Sequence, residues 1–189
     1  MGRSSLLLFY SCFIFISASA EEAHVRRNAI KTTFLSWFSG SCKVSYERAV
    51  FDNQTMEMTV GYIGFGHDKY KNNPEGYTVR YAHKFILSGN ETRPLNGLYL
   101  RPELIYSHFH YDSKEIFERK LSKMGSLMFT AGYQYIVNQF VFDAFFGGGY
   151  ALGNECDTHY HHGFALWDYV GTYNKNIAMT LGVKIGICF

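Results

Sequence analysis

The chain has 189 residues, enough for one domain with an ordinary core, and its formal net charge of +2, with no basic run, speaks against a nucleic-acid partner. Aromatic residues make up 18% of it, from 15 Tyr and 17 Phe, while only 3 Pro occur and the 18 Gly are scattered through apolar stretches. Such a composition, with short alternating runs, points to an all-β fold.

In chain order, "MGRSSLLLFYSCFIFISASA" comes first, with Arg3 ahead of an apolar run from Leu6 to Ile16 and a small-x-small site at Ala18-Ser19-Ala20. The pattern is that of a secretory signal peptide over residues 1–20, leaving 21–189 as one exported domain. The apolar run is too short for a spanning helix, which needs about 20 apolar residues.

Eight alternating segments follow, at about Ile30–Phe38, Cys42–Ala49, Thr55–Gly66, Tyr77–Leu87, Leu98–Tyr111, Ser126–Val137, Phe140–Tyr150 and Ile177–Phe189. Parity separates two faces in most of them. Met56, Met58, Val60 and Tyr62 oppose Glu57, Thr59 and Gly61, and Val79, Tyr81 and Phe85 oppose Arg80, Ala82 and Lys84. His83 breaks the apolar face of the fourth segment. In the last, Ile177 to Phe189 at odd positions are large and apolar, and Lys184 stands among small residues between them. The first segment is noisier, and Lys31 by itself fixes nothing.

Alternation alone fits a soluble barrel with an apolar interior or a membrane barrel with an apolar exterior. Three features favour the second. The connections after the second, fourth and sixth segments are short, and those after the third, fifth and seventh are longer, as in outer-membrane barrels. Tyr and Phe gather near segment ends, where interfacial girdles lie. The polar face is rich in glycine (Gly61, Gly132, Gly147, Gly149, Gly182, Gly186), which suits a narrow eight-stranded barrel filled by its own side chains. The expected fold is therefore an eight-stranded antiparallel up-and-down transmembrane β-barrel.

The segments "NAIKTTFLSW", "GLYLRPELIY", "AGYQYIVNQFVFDAFFGGGYALG" and "LGVKIGICF" resemble a family of uncharacterised Bacteroidetes-type outer-membrane β-barrels, similar to small OmpA-like barrels. They span most of the chain after the leader and include no catalytic motif. The resemblance implies a fold and a location, the outer membrane of a Gram-negative bacterium, rather than a chemistry. The terminal Phe189 resembles the assembly signal read by the outer-membrane insertion machinery.

On this reading the polar face lines the lumen with Lys43, Arg80, Lys84, Arg101 and Lys184 and with Glu47, Glu57, Glu103 and Asp143. Mixed signs permit a paired network that plugs the bore, and the alternative is a porin-like selective pore. The same charges fix register, because a one-residue slip would put Lys184 into lipid at about 2–4 kcal/mol. In "GNECDTHYHHG", Cys156, His159, His161 and His162 are candidate metal ligands, although their spacing matches no structural zinc pattern. Strands one and eight of a closed barrel are neighbours, which makes Cys42–Cys156 the candidate disulfide. Ser107 and His108 fall on opposite faces, so they form no nucleophile–base pair. No catalytic residue and no cofactor are expected.

The expected protein is thus a monomeric outer-membrane barrel with a filled lumen, in contact with lipid and with the insertion machinery. It would act structurally or by surface binding or adhesion through its outer loops, on a ligand the sequence does not name. The alternatives are a soluble secreted lipocalin-like barrel holding an apolar ligand, and a lipid-modifying outer-membrane enzyme.

Overall fold

The computed structural model describes residues 25–34, 36, 40–65, 73–88, 94–113, 118–153, 164–165 and 176–189. The expected leader, 1–20, lies outside them. The described strands are β1 (Asn28–Thr33), β2 (Ser41–Phe51), β3 (Gln54–Ile63), β4 (Glu75–Ile86), β5 (Gly97–Ser113), β6 (Glu118–Val137), β7 (Phe140–Gly153), β8 (Phe164–Ala165) and β9 (Ile177–Cys188). Strands β1 to β7 and then β9 pair antiparallel in sequence order, and β1 pairs with β9 to close the sheet. The molecule is a closed eight-stranded antiparallel barrel with a short additional strand.

The additional strand has a local reason. β1 is only 6 residues long, and its pairing with β9 runs from Ala29↔Cys188 to Thr33↔Lys184. Beyond Lys184 the edge of β9 is left without β1, and β8 pairs there through Phe164↔Met179 and Ala165↔Ala178. Covering an open edge removes a site for unwanted strand pairing. Parity gave no warning of a two-residue strand inside a long connection.

Two further differences from the sequence reading are β1, which ends at Thr33 rather than near Phe38, and the β5–β6 hairpin. The hairpin pairs from Gly97↔Gln134 up to Ser113↔Glu118, so the segment after Tyr111 is strand where a loop was expected. β4 accompanies β5 only to His110, and β7 accompanies β6 only to Met124. The hairpin therefore rises above its neighbours, and Phe109 and Tyr111 on it pack with Ile63 at the rim.

At the opposite end are two tight turns and both ends of the barrel chain. Asn138 adopts φ 55 in the β6–β7 turn, a left-handed conformation that Asn tolerates better than most residues. The main chains of Asn28 and Phe189 exchange two hydrogen bonds, 3.1 and 2.9 Å, which complete the closure. An apolar cluster of Ala29, Ala49, Leu95, Val141 and Cys188 fills the interior at this end. Towards the loops the interior continues through a layer of charged side chains. Ile105, Met128 and Ala178 then pack together nearer the rim.

Two inner-face glycines make room for the bulkiest interior rings. A Cβ at Gly182 would stand 2.6 Å from Cζ of Phe145, and one at Gly132 would collide with the Tyr99 hydroxyl. Each ring lies across the glycine of a nearby strand, which is how a narrow barrel alternates large and small residues.

Candidate functional site

The charged layer is built by strand parity and then by cross-strand register. Lys31, Lys43, Glu47, Glu57, Arg80, Lys84, Arg101, Glu103, Asp143 and Lys184 are all buried on the inner face. Glu47 and Glu57 stand directly opposite one another on β2 and β3, a like-charge pairing that is unfavourable alone. Two ammonium groups offset it. Lys31 Nζ lies 2.5 Å from Glu47 Oε2 and 2.9 Å from Asp143 Oδ2, and it also contacts Glu57 Oε2. Lys84 Nζ lies 2.8 Å from Asp143 Oδ2, 3.2 Å from Glu47 Oε1 and 3.4 Å from Glu57 Oε2.

Neutral groups complete the knot. Gln134 Oε1 accepts from Lys84 at 2.7 Å and from Lys31 at 3.1 Å. The Thr55 hydroxyl donates to Glu47 Oε1 at 2.5 Å, and the Tyr99 hydroxyl donates to Asp143 Oδ1. Lys84 Nζ also sits 4.4 Å from the centre of the Tyr99 ring, so the cation meets the ring face as well as carboxylates. Glu47, Glu57 and Asp143 bring ligand oxygens within 4.8 Å of one another, close enough to share a cation. Here the ammonium groups of Lys31 and Lys84 supply that positive charge.

A second group of charges adjoins the first through Glu57. Its Oε1 pairs with Lys184 Nζ and lies 3.6 Å from Arg101 Nη1. Arg101 Nη2 is 3.2 Å from Glu103 Oε2, its Nε donates to Thr130 Oγ1 at 2.9 Å, and its guanidinium carbon stands 4.5 Å from the centre of the Phe145 ring. Arg80 Nη1 reaches Glu103 Oε1 at 3.4 Å. Lys43, near the head of β2, belongs to the same side of the layer. The arrangement is that of a fixed ionic core, with cations distributed among carboxylates and rings on several strands.

With the fold and this interior described, comparison with known proteins places the chain. A family model described as a protein of unknown function, DUF3575, matches residues 7–187. The chain belongs to that family. No curated protein and no solved structure matches it.

Several residues singled out in the sequence of this DUF3575 barrel lie apart from the charged layer. Phe189 is exposed at the turn end beside Asn28. Cys42 is half-buried at the start of β2, on the outward parity of Val44 and Tyr46, and Cys156 lies outside the described residues. The candidate ligands His159, His161 and His162 lie outside them as well. Ser107 points inward and donates to Thr78 Oγ1 at 2.9 Å, whereas the adjacent His108 stacks on Tyr77 on the outer wall. His83, the misfit of the apolar face, shares a 2.9 Å hydrogen bond with Gln54 Oε1.

Four members of the knot, Lys31, Thr55, Tyr99 and Gln134, were not among the inner residues singled out from sequence. Lys31 sits on a short strand with too little alternation to fix its face. Tyr99 and Gln134 are common residues on polar parities, and nothing local distinguishes them. The signal for Lys31 was available only once the barrel was closed, since that closure sets it between β2 and β9.

Proposed function

We propose that this DUF3575 protein is an integral outer-membrane barrel whose interior is a structural ionic plug and whose loop end meets a surface ligand. The observation that carries this is the inverted polarity of the wall. Outward-facing Asp, Glu, Lys and Arg on the described strands occur only near the two ends: Arg48 at the turn end, and Glu75, Asp112, Arg119 and Lys123 at the loop end. Between them Val44, Met58, Val60, Leu100, Leu104, Leu127, Phe129, Leu181 and Val183 are exposed to the surroundings.

On β6 the uncharged outer stretch runs from Gly125 to Val137, about 30 Å of height for a strand tilted as in membrane barrels. Exposed Tyr62, Tyr77, Tyr106 and Tyr150 lie towards its loop end, with Tyr133, Tyr135, Phe140 and Phe142 towards the turn end. Bands of this kind suit the two interfaces of a bilayer. A lipocalin-like barrel would have the reverse arrangement, with an apolar interior for its ligand and charges on the outer wall. At the loop end, Gly40, Tyr62, Gly64, Asn73, Pro74, Glu75 and Arg119 line an open groove of about 380 Å³, a polar recess suited to surface binding.

The deciding experiment is detergent extraction of the expressed full chain, with gel mobility compared before and after boiling. The expected result is recovery in the membrane fraction, resistance to carbonate washing, and a faster band before boiling than after it. Recovery in the aqueous fraction with mobility unchanged by boiling would sink the membrane assignment.

A further inference from the structure

The loop end carries a second group of chemically able side chains, on the outer wall rather than in the lumen. His108 and His110 are two residues apart on β5, so both imidazoles stand on the outward parity. Phe109 between them points inward, is buried, and packs with Ile63 and Tyr111, which anchors the segment from within. The two imidazole rings have centres 6.0 Å apart and planes at 72°. His108 also stacks on Tyr77, 5.5 Å away and 6° from parallel, which holds its ring plane. Beyond these ring contacts neither imidazole has a hydrogen bond or ion pair among the described residues, so nitrogens of both rings are open to a ligand.

Register brings a carboxylate beside them. Glu75 on β4 lies opposite His110, and Tyr77 lies opposite His108. Gly76 permits this approach, since a Cβ there would collide with the His108 carbonyl oxygen. Glu75 Oε2 accepts from Arg119 Nη2 at 2.6 Å, while its Oε1 has no partner among the described residues. Asp112, the next outward acid on β5, is instead taken up by Asn73 Nδ2 at 2.9 Å. From the β6 side Lys123 lies opposite His108 and Leu121 opposite His110, so the carboxylate meets the pair from β4.

We propose that the outer wall at the loop end binds a divalent transition-metal ion, such as zinc, between the imidazoles of His108 and His110, with Glu75 as third ligand. Two imidazoles that share one ion at about 2.0–2.1 Å have ring centres roughly 5–6.5 Å apart. The 6.0 Å found here falls in that span, so rotation about side-chain bonds is enough to turn one nitrogen of each ring onto a common ion. Glu75 supplies its open Oε1, and Arg119 keeps the other oxygen hydrogen-bonded, as outer partners of metal ligands do. Imidazoles with a carboxylate suit zinc, copper or nickel rather than magnesium or calcium. The inference concerns outward side chains at the rim and holds whichever solvent surrounds the wall below. Its failure and that of the membrane assignment are therefore separate results.

The test is calorimetric titration of the untagged, folded full chain with zinc chloride after treatment with a chelator. Zinc should bind, and the double variant His108→Gln, His110→Gln should weaken that binding by about tenfold or more. Glu75→Gln should weaken it by a smaller factor. A control variant, His161→Gln with His162→Gln, changes histidines outside the described residues and should bind as the parent does. Absence of zinc binding to the parent, undiminished binding in the double variant, or loss of binding in the control would overturn the proposal. Unchanged affinity in Glu75→Gln would overturn the place of Glu75 as third ligand. Should the double variant fail to fold, the copper(II) spin-resonance spectrum of the control variant decides: coupling to two imidazole nitrogens is expected, and coupling to fewer would overturn the site on its own.

Discussion

Around Lys31 and Lys84, two ammonium groups meet Glu47 and Asp143, with Glu57 shared, and Gln134 Oε1 and the Thr55 and Tyr99 hydroxyls add hydrogen bonds. Around Glu57 and Glu103, with similar burial, Lys184, Arg101 and Arg80 contact the two carboxylates, and Lys43 on the same inner face has no acidic partner among the described residues. Both groups are built on inward parities of the same sheet. The difference teaches that burial of charge in this barrel is governed by register, which decides whether a carboxylate arrives opposite a lysine. The first group is matched within the protein.

The sharpest way to break that comparison is at Asp143. Asp143→Ala removes one carboxylate from both Lys31 and Lys84 and strands the Tyr99 hydroxyl, so a loss of about 3–5 kcal/mol is expected. Urea titration of the folded band should then show a much lower midpoint, and a midpoint unchanged within error would mean the knot contributes little. Next in size is the wall around both groups. Phe129, 61% exposed, replaced by Arg should cost about 2–4 kcal/mol in a bilayer near the midplane. The same change would be near neutral if that wall faced water, so folding yields in lipid vesicles read it directly.

A smaller effect is expected at the junction. Lys184→Met leaves Glu57 with Lys31, Lys84 and Arg101 as partners, so a cost of about 1–2 kcal/mol is expected and the barrel should still form. Complete loss of the unboiled fast band in this variant would assign Lys184 a stricter structural role. The smallest effect belongs to the unmatched group. Lys43→Met, which removes a buried ammonium without an acidic partner among the described residues, should change stability by no more than about 1 kcal/mol in either direction. A loss as large as that of Asp143→Ala would erase the distinction between the two groups.

Much of the fold was legible because it depends on local alternation. Strands with long apolar parities, such as Gln54–Ile63 and Ile177–Cys188, lie within a few residues of the segments read from sequence. The β5–β6 overhang was less so. Residues such as Glu118, Arg119 and Lys120 are polar on both parities, and extended pairing above the rim leaves no one-sided hydrophobic pattern. The inner charges could be named from parity, yet their partners could not. Arg101 and Glu103, two residues apart on β5, bond to each other as well as across the lumen.

The sequence by itself determined the period, and with it a sheet having one apolar and one charged face, since side chains alternate every residue along a strand. It also placed the tight turns that join β2 to β3 and β6 to β7 at one end. Tertiary structure decided the closure of β1 on β9, the cover that β8 gives the exposed edge, and the entry of Lys31 between Glu47 and Asp143. Among the described residues, it alone left Lys43 without a carboxylate partner. Those outcomes depend on stagger between strands far apart in sequence, and stagger is set by the closing of the whole sheet, which no single segment encodes.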